Sequence, residues 1–199
     1  MPRIILASQS PRRRQLLRQL GIGDFDVLVP EAEEDYDPAL PPEEIVASIS
    51  RRKGEAARAL AGGADAVIIA ADTMVFLDGL RLGKPPSEEA AFRMLSALSG
   101  RTHHVSTGVT VVRGDRAETR SETTAVTFRP LTEAEIRAYI RTGEPFDKAG
   151  GYGIQGPAAV FIPRIEGDYF NVMGLPLFLL GEMLGDFGVT LFPDEEDCH

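Results

Sequence analysis

Four segments of the chain carry residue types that could do chemistry together. The first holds Ser8, Ser10, Arg12 and Arg13, just after the apolar run RIIL. Ser10 reads as a helix N-cap and Pro11 as the first helical residue. A helix N-terminus offers unpaired N–H groups and the positive end of the helix dipole, so it favours anions. Arginine adds a planar fork of donors that matches phosphate oxygens. Arg13 stands three, four and seven residues before Leu16, Leu17 and Leu20, which puts it on their inward face. A guanidinium there needs a partner. A phosphate is one; a carboxylate from the acidic loop EAEEDYDP, residues 31–38, is the plainer one.

The second segment is AVIIAADT, where Asp72 interrupts an apolar strand and Thr73 follows it. Ligands collect near strand ends in open α/β sheets. A carboxylate there can hold a divalent ion or take a proton from water; otherwise it caps a loop. The third is LGKPP, where Lys84 could neutralise a phosphate or simply face solvent. The fourth is EPFDKAGGYGIQG, residues 144–156. Gly151, Gly153 and Gly156 match GxGxxG in form, but a dinucleotide fingerprint follows a strand and opens a helix, and the segment after Pro157 reads as strand-like AAVFI. There is no Gly-Lys-Ser/Thr, so it is not a Walker loop either. The glycines still allow close approach of backbone to a ligand, and Gln155 offers both a donor and an acceptor, as base recognition requires.

Elements must exist to position these groups. RIILAS reads as a buried strand, followed by a helix that Gly21 ends. FDVLVP is a second strand, residues 42–61 a helix, and ADAVIIAADTMVFLDG a long strand with a turn at Asp78-Gly79. A helix runs from the Ser87 cap to Gly100, then HHVSTGVTVVRG and SETTAVTFRP pair antiparallel. LTEAEIRAYIRTG is a helix, AAVFIPRIEGDYFNVMG a strand, turn and strand, and LPLFLLGEMLGDFG the last helix. Alternating strands and helices with hairpins predict an α/β fold with a mixed sheet. With no repeat or flexible linker, residues 1–199 read as a single domain around a cleft, with a frayed acidic tail at 193–199.

Composition narrows the classes. The chain has 199 residues, 43% hydrophobic and 26% charged, which is globular rather than disordered. A net charge of -9 disfavours nucleic acid and anionic membranes as partners. The basic residues nevertheless cluster at Arg12–Arg14 and Arg51–Lys53, which suits a small anionic ligand in a pocket as well as solvated helix faces. No apolar run reaches the ~20 residues of a membrane helix. The opening residues lack a signal-peptide pattern. A single cysteine, Cys198, rules out an intrachain disulfide, and a cytoplasmic location is expected. Three histidines give no zinc spacing. The carboxylates of the acidic loop could bind Mg²⁺ or Mn²⁺ or be solvated, and spacing selects none of them.

Taken in order, LASQSPRRRQLL, AADTMVFLDG with LGKP, GRTHHVSTGV, and GEPFDKAGGYGIQG followed by RIEGDYFNVMGLPL resemble the Maf family of nucleoside triphosphate pyrophosphatases. The resemblance spans nearly the whole chain. It implies a mixed twisted sheet flanked by helices, of the inosine-triphosphate-pyrophosphatase type, with a central cleft. It implies cleavage between the α and β phosphates with a divalent metal cation, Mg²⁺ or Mn²⁺. By motif, Asp72 is the general base or water-orienting carboxylate and a metal ligand. Glu34 joins it at the metal. Ser8, Arg12, Arg13, Lys53 and Lys84 contact phosphates, and Arg12, Thr73 and Gln155 fall where base specificity is set. Gln155 in GIQG matches the dTTP and UTP subfamily, whereas the 7-methyl-GTP subfamily tends to carry Glu there. A homodimer is also implied by the resemblance. Arg14 and the RRKGEA stretch depart from the family pattern. The rival readings are a pyrophosphatase for 7-methyl-GTP or modified purines, and a nucleotide-binding regulator of cell division.

Overall fold

The computed structural model describes residues 2–33, 35–62 and 65–192. Glu34 and the tail at 193–199 therefore lie outside the described residues.

Strand β1 (Arg3–Leu6) leads into helix α1 (Pro11–Gln19), then β2 (Asp26–Val27) and α2 (Pro42–Ala61). A hairpin of β3 (Ala66–Leu77) and β4 (Leu80–Leu82) follows, then α3 (Glu88–Leu98). Strands β5 (Thr102–Arg113) and β6 (Arg116–Thr127) precede α4 (Glu133–Ile140). After three 3₁₀ turns at Glu144–Asp147, Ala149–Gly151 and Pro157–Phe161 come β7 (Arg164–Glu166), α5 (Tyr169–Met173) and α6 (Leu177–Asp186). Among the described residues the seven strands form one mixed sheet, ordered β2-β1-β3-β5-β6-β7, with β4 also on β3.

Local chemistry starts and stops these elements. Ser10, Ser87 and Thr132 each accept a hydrogen bond from the backbone N–H three residues on, and Thr132 with Glu135 completes a capping box. Asp78 (φ 51) and Gly79 (φ 78) make the left-handed pair that a two-residue hairpin requires.

The long strand β3 explains the layers. Val67, Ile69, Ala71, Val75 and Leu77 join the core formed with α1, α3, α4 and α6. Ala66, Ile68, Ala70, Met74 and Phe76 belong to the clusters on the other face, with Ile45, Val46, Ile49 and Ala57 of α2. This is strict period-two alternation, with both faces covered. Helix α2 lies so close that a Cβ at Gly108 in β5 would collide with the Val46 carbonyl.

Two expectations need correction. FDVLVP forms only the two-residue edge strand Asp26–Val27. In AAVFIPRIEGDYFNVMG, Pro157 starts a 3₁₀ turn, only Arg164–Glu166 is strand, and Tyr169–Met173 is helical. Proline has no N–H for a sheet ladder, and the Asp168 carboxylate accepts from Phe170 N at 2.6 Å and Asn171 N at 3.3 Å, capping the short helix.

One buried histidine links fold to pH. His103 on β5 is fully buried, and its Nε2 lies 2.7 Å from the Tyr152 hydroxyl. Burial, with a smaller contribution from His104, holds its pKa down to about 4. Between that value and the ordinary 6.5, the unfolded chain binds the extra proton. Stability is therefore complete above about 6.5, falls as pH drops toward 4, and levels off below; the loss is roughly 3 kcal/mol. Urea midpoints between pH 7 and pH 4 should show this slope, and His103→Gln should flatten it. An unchanged slope in that variant would assign the effect to other groups.

Candidate active site

The site grows out of a gap in the sheet. Strand β5 pairs with β3 from Ile68 to Phe76 and occupies one edge. On the other edge β1 reaches only Ile69, and β4 begins only at Val75. The middle of β3, which carries Asp72 and Thr73, is thus open between two strand ends. The chain leaves β1 there through Ser8, Arg12 and Arg13, and leaves β4 through Gly83 and Lys84. A cleft of about 1000 Å³ opens at this point.

Ser8, Arg12, Arg13, Lys53, Asp72, Thr73, Lys84 and Gln155 all line that cleft. Their roles remain separate from their placement.

Alternation along β3 sends Asp72 and Thr73 to opposite faces. Asp72 turns toward α2, where Lys53 Nζ donates to its Oδ1 at 2.7 Å. Asp72 Oδ2 is buried with no hydrogen-bond partner among the described residues. Thr73 turns toward α1. Its hydroxyl accepts from Arg13 Nη2 at 3.0 Å and lies 2.9 Å from Thr107 Oγ1. Arg13 also donates from Nε to the Gly174 carbonyl at 2.8 Å and from Nη1 to Ser8 Oγ at 3.3 Å. Gly174, in the left-handed conformation (φ 112), ends α5 and so presents that carbonyl. The guanidinium is held in one orientation by three elements. Thr73 therefore fixes Arg13 as well as lining the cleft.

The other wall is the glycine-rich segment. Gln155 is exposed in a turn closed by Gly156 N donating to the Gly153 carbonyl at 3.1 Å. Arg12 spans the cleft to Asp147 at 3.7 Å. Lys148 Nζ lies 2.6 Å from Asp147 Oδ1 and 3.9 Å from Glu144 Oε1. Glu144, Asp147 and Lys148 line the cleft too, and sequence reading gave them no role. Their signal was visible: two carboxylates and a lysine sit directly before the glycine run. Gly174, by contrast, carries no local sign that it would support an arginine far back in the chain.

Chemically, the cleft offers a helix N-terminus, several cations and two carboxylates, Asp72 and Glu144, each with a buried oxygen that has no partner among the described residues. That set suits a polyphosphate and a water to be activated.

Known proteins resemble this chain over nearly its whole length. A family model described as Maf-like protein matches residues 3–187. The dTTP/UTP pyrophosphatase of Symbiobacterium thermophilum is 50% identical over 192 residues, covering 96% of this chain and 97% of that protein. The dTTP/UTP pyrophosphatase of Moorella thermoacetica is 50% identical over 196 residues, covering 96% and 98%. That of Bacillus velezensis is 48% identical over 187 residues, covering 94% and 97%.

Proposed function

The chain belongs to the Maf family, and from that footing we propose that it hydrolyses dTTP and UTP to the monophosphate and pyrophosphate. The observation that carries the reading is the convergence of the α1 N-terminus, Lys53, Asp72 and Lys84 at one gap in the sheet.

In this reading the triphosphate lies along the start of α1. Arg12, Arg13, Lys53 and Lys84 neutralise its charge, and Ser8 supplies a hydroxyl. A water oriented by the Asp72 carboxylate attacks the α phosphorus, and that carboxylate takes the proton. The bond from that phosphorus to the bridging oxygen breaks, and pyrophosphate leaves. Most of the acceleration comes from placing groups that need not reorganise.

The family resemblance implies a divalent cation, and the cleft fits one. The unpaired Asp72 oxygen is a hard donor, and Mg²⁺ is commonly held by one or two carboxylates plus substrate phosphates. Asp72 would hold it, with Glu34 as the second carboxylate. Among the described residues no three His, Cys, Asp or Glu side chains form a cluster. Bound there, Mg²⁺ or Mn²⁺ would offset charge on the phosphates.

Gln155 reads the base. Thymine and uracil present O4 as acceptor and N3–H as donor, which one amide can complement; cytosine presents the reverse. Gln155→Glu replaces the amide donor with an acceptor-only group. The ratio of kcat/KM for dTTP over CTP should fall about tenfold or more. An unchanged ratio removes Gln155 from base recognition. No helix among the described residues is long and apolar enough to cross a membrane.

A further inference from the structure

The turn that carries Gln155 sits on a carboxylate. Glu144 opens the 3₁₀ turn Glu144–Asp147, and its side chain is only 16% exposed. Its Oε2 is buried and has no hydrogen-bond partner among the described residues. A Cβ on Gly156 would collide with Glu144 Oε1, and one on Gly153 would come within 2.7 Å of the same atom. Gly156 has extended backbone (φ -99, ψ -162), which other residues adopt readily. Its missing side chain therefore answers to Glu144 and not to backbone strain. The same two glycines bracket Ile154 and Gln155.

A second contact ties the turn to this spot. Gly153 N donates to the Tyr139 hydroxyl at 3.3 Å. Burial, with the Glu144 carboxylate next to it, pushes the Tyr139 phenol up, so it stays protonated. Lys148 holds the other side, donating to the Glu144 carbonyl at 3.3 Å. Burying a carboxylate with an unpaired oxygen destabilises a fold, and such departures concentrate where function needs them.

We propose that Glu144 is a positioning residue for base recognition: its carboxylate fills the space beneath the Gly153–Gly156 turn and sets where the Gln155 amide stands. It acts through the turn that carries Gln155. This rests on the reading of Gln155 given above.

The test measures kcat and KM for dTTP and CTP in the full chain carrying Glu144→Ala, Glu144→Gln, Gly156→Ala, Gln155→Ala, or Glu144→Ala with Gly156→Ala. Glu144→Ala and Gly156→Ala should each lower the dTTP/CTP ratio of kcat/KM about tenfold, mainly by raising KM for dTTP. Glu144→Gln keeps the shape and should hold the ratio within about twofold. The double variant should be no worse than Glu144→Ala alone, because the added methyl then has room. These readouts are discrimination ratios, which simple loss of stability does not move. If Gln155→Ala loses discrimination while Glu144→Ala and Gly156→Ala keep it, Glu144 has no positioning role and the Gln155 reading stands. If Gln155→Ala keeps it, both fall together.

Discussion

Asp72→Asn should lower kcat for dTTP by about 100-fold or more while leaving KM within a fewfold. Asparagine keeps the shape but cannot take the proton of the attacking water. The same change removes the charge that Lys53 pairs with at 2.7 Å, where both side chains are largely buried. Removing one charge of a largely buried pair destabilises the fold. Stability must therefore be followed beside turnover. A folded Asp72→Asn protein with near-normal kcat would remove Asp72 from the chemistry and leave it as the partner of Lys53.

The second large effect is at Arg13. Arg13→Ala should cost about 100-fold in kcat/KM, comparable to deleting one preorganised donor at a developing charge. Arg13→Lys should recover little of this. An ammonium can neutralise charge, but it lacks the planar fork that spans Gly174, Ser8 and Thr73. Thr73→Val removes one of those three anchors and should lie between wild type and Arg13→Ala. Recovery of full activity in Arg13→Lys would mean that only charge matters there, and that the anchoring network serves the fold alone.

How far the sequence reached can be judged at particular residues. Strand β3 was readable because an apolar run with an Asp-Gly turn leaves few alternatives, and Asp72 stood out as its one charged member. The inward position of Arg13 followed from its helical spacing to Leu16 and Leu17, both fully buried. What holds Arg13 was hidden. Its Gly174 partner is 161 residues away, and a backbone carbonyl leaves no mark on residue type. The open stretch of β3 was hidden too, because it arises from the registers of β1 and β4 and not from β3 itself. The segment from Pro157 to Met173 misled because its β-branched and aromatic residues suggest strands, while Pro157 and the Asp168 cap decide otherwise. A carboxylate beside a glycine-rich loop ordinarily faces solvent, so residue type alone does not reveal the burial of Glu144. Its burial depends on Gly153 and Gly156 lacking side chains.

The measurement that bears most directly on the central claim is turnover with Mg²⁺ or Mn²⁺ across dTTP, UTP, CTP, GTP, 7-methyl-GTP and ITP, with products identified. The account predicts preferential cleavage of dTTP and UTP, yielding the monophosphate and pyrophosphate. Cleavage centred on 7-methyl-GTP or ITP would keep the cleft chemistry but contradict the reading of Gln155. Release of orthophosphate and a diphosphate, or no turnover in folded protein, would contradict the account itself.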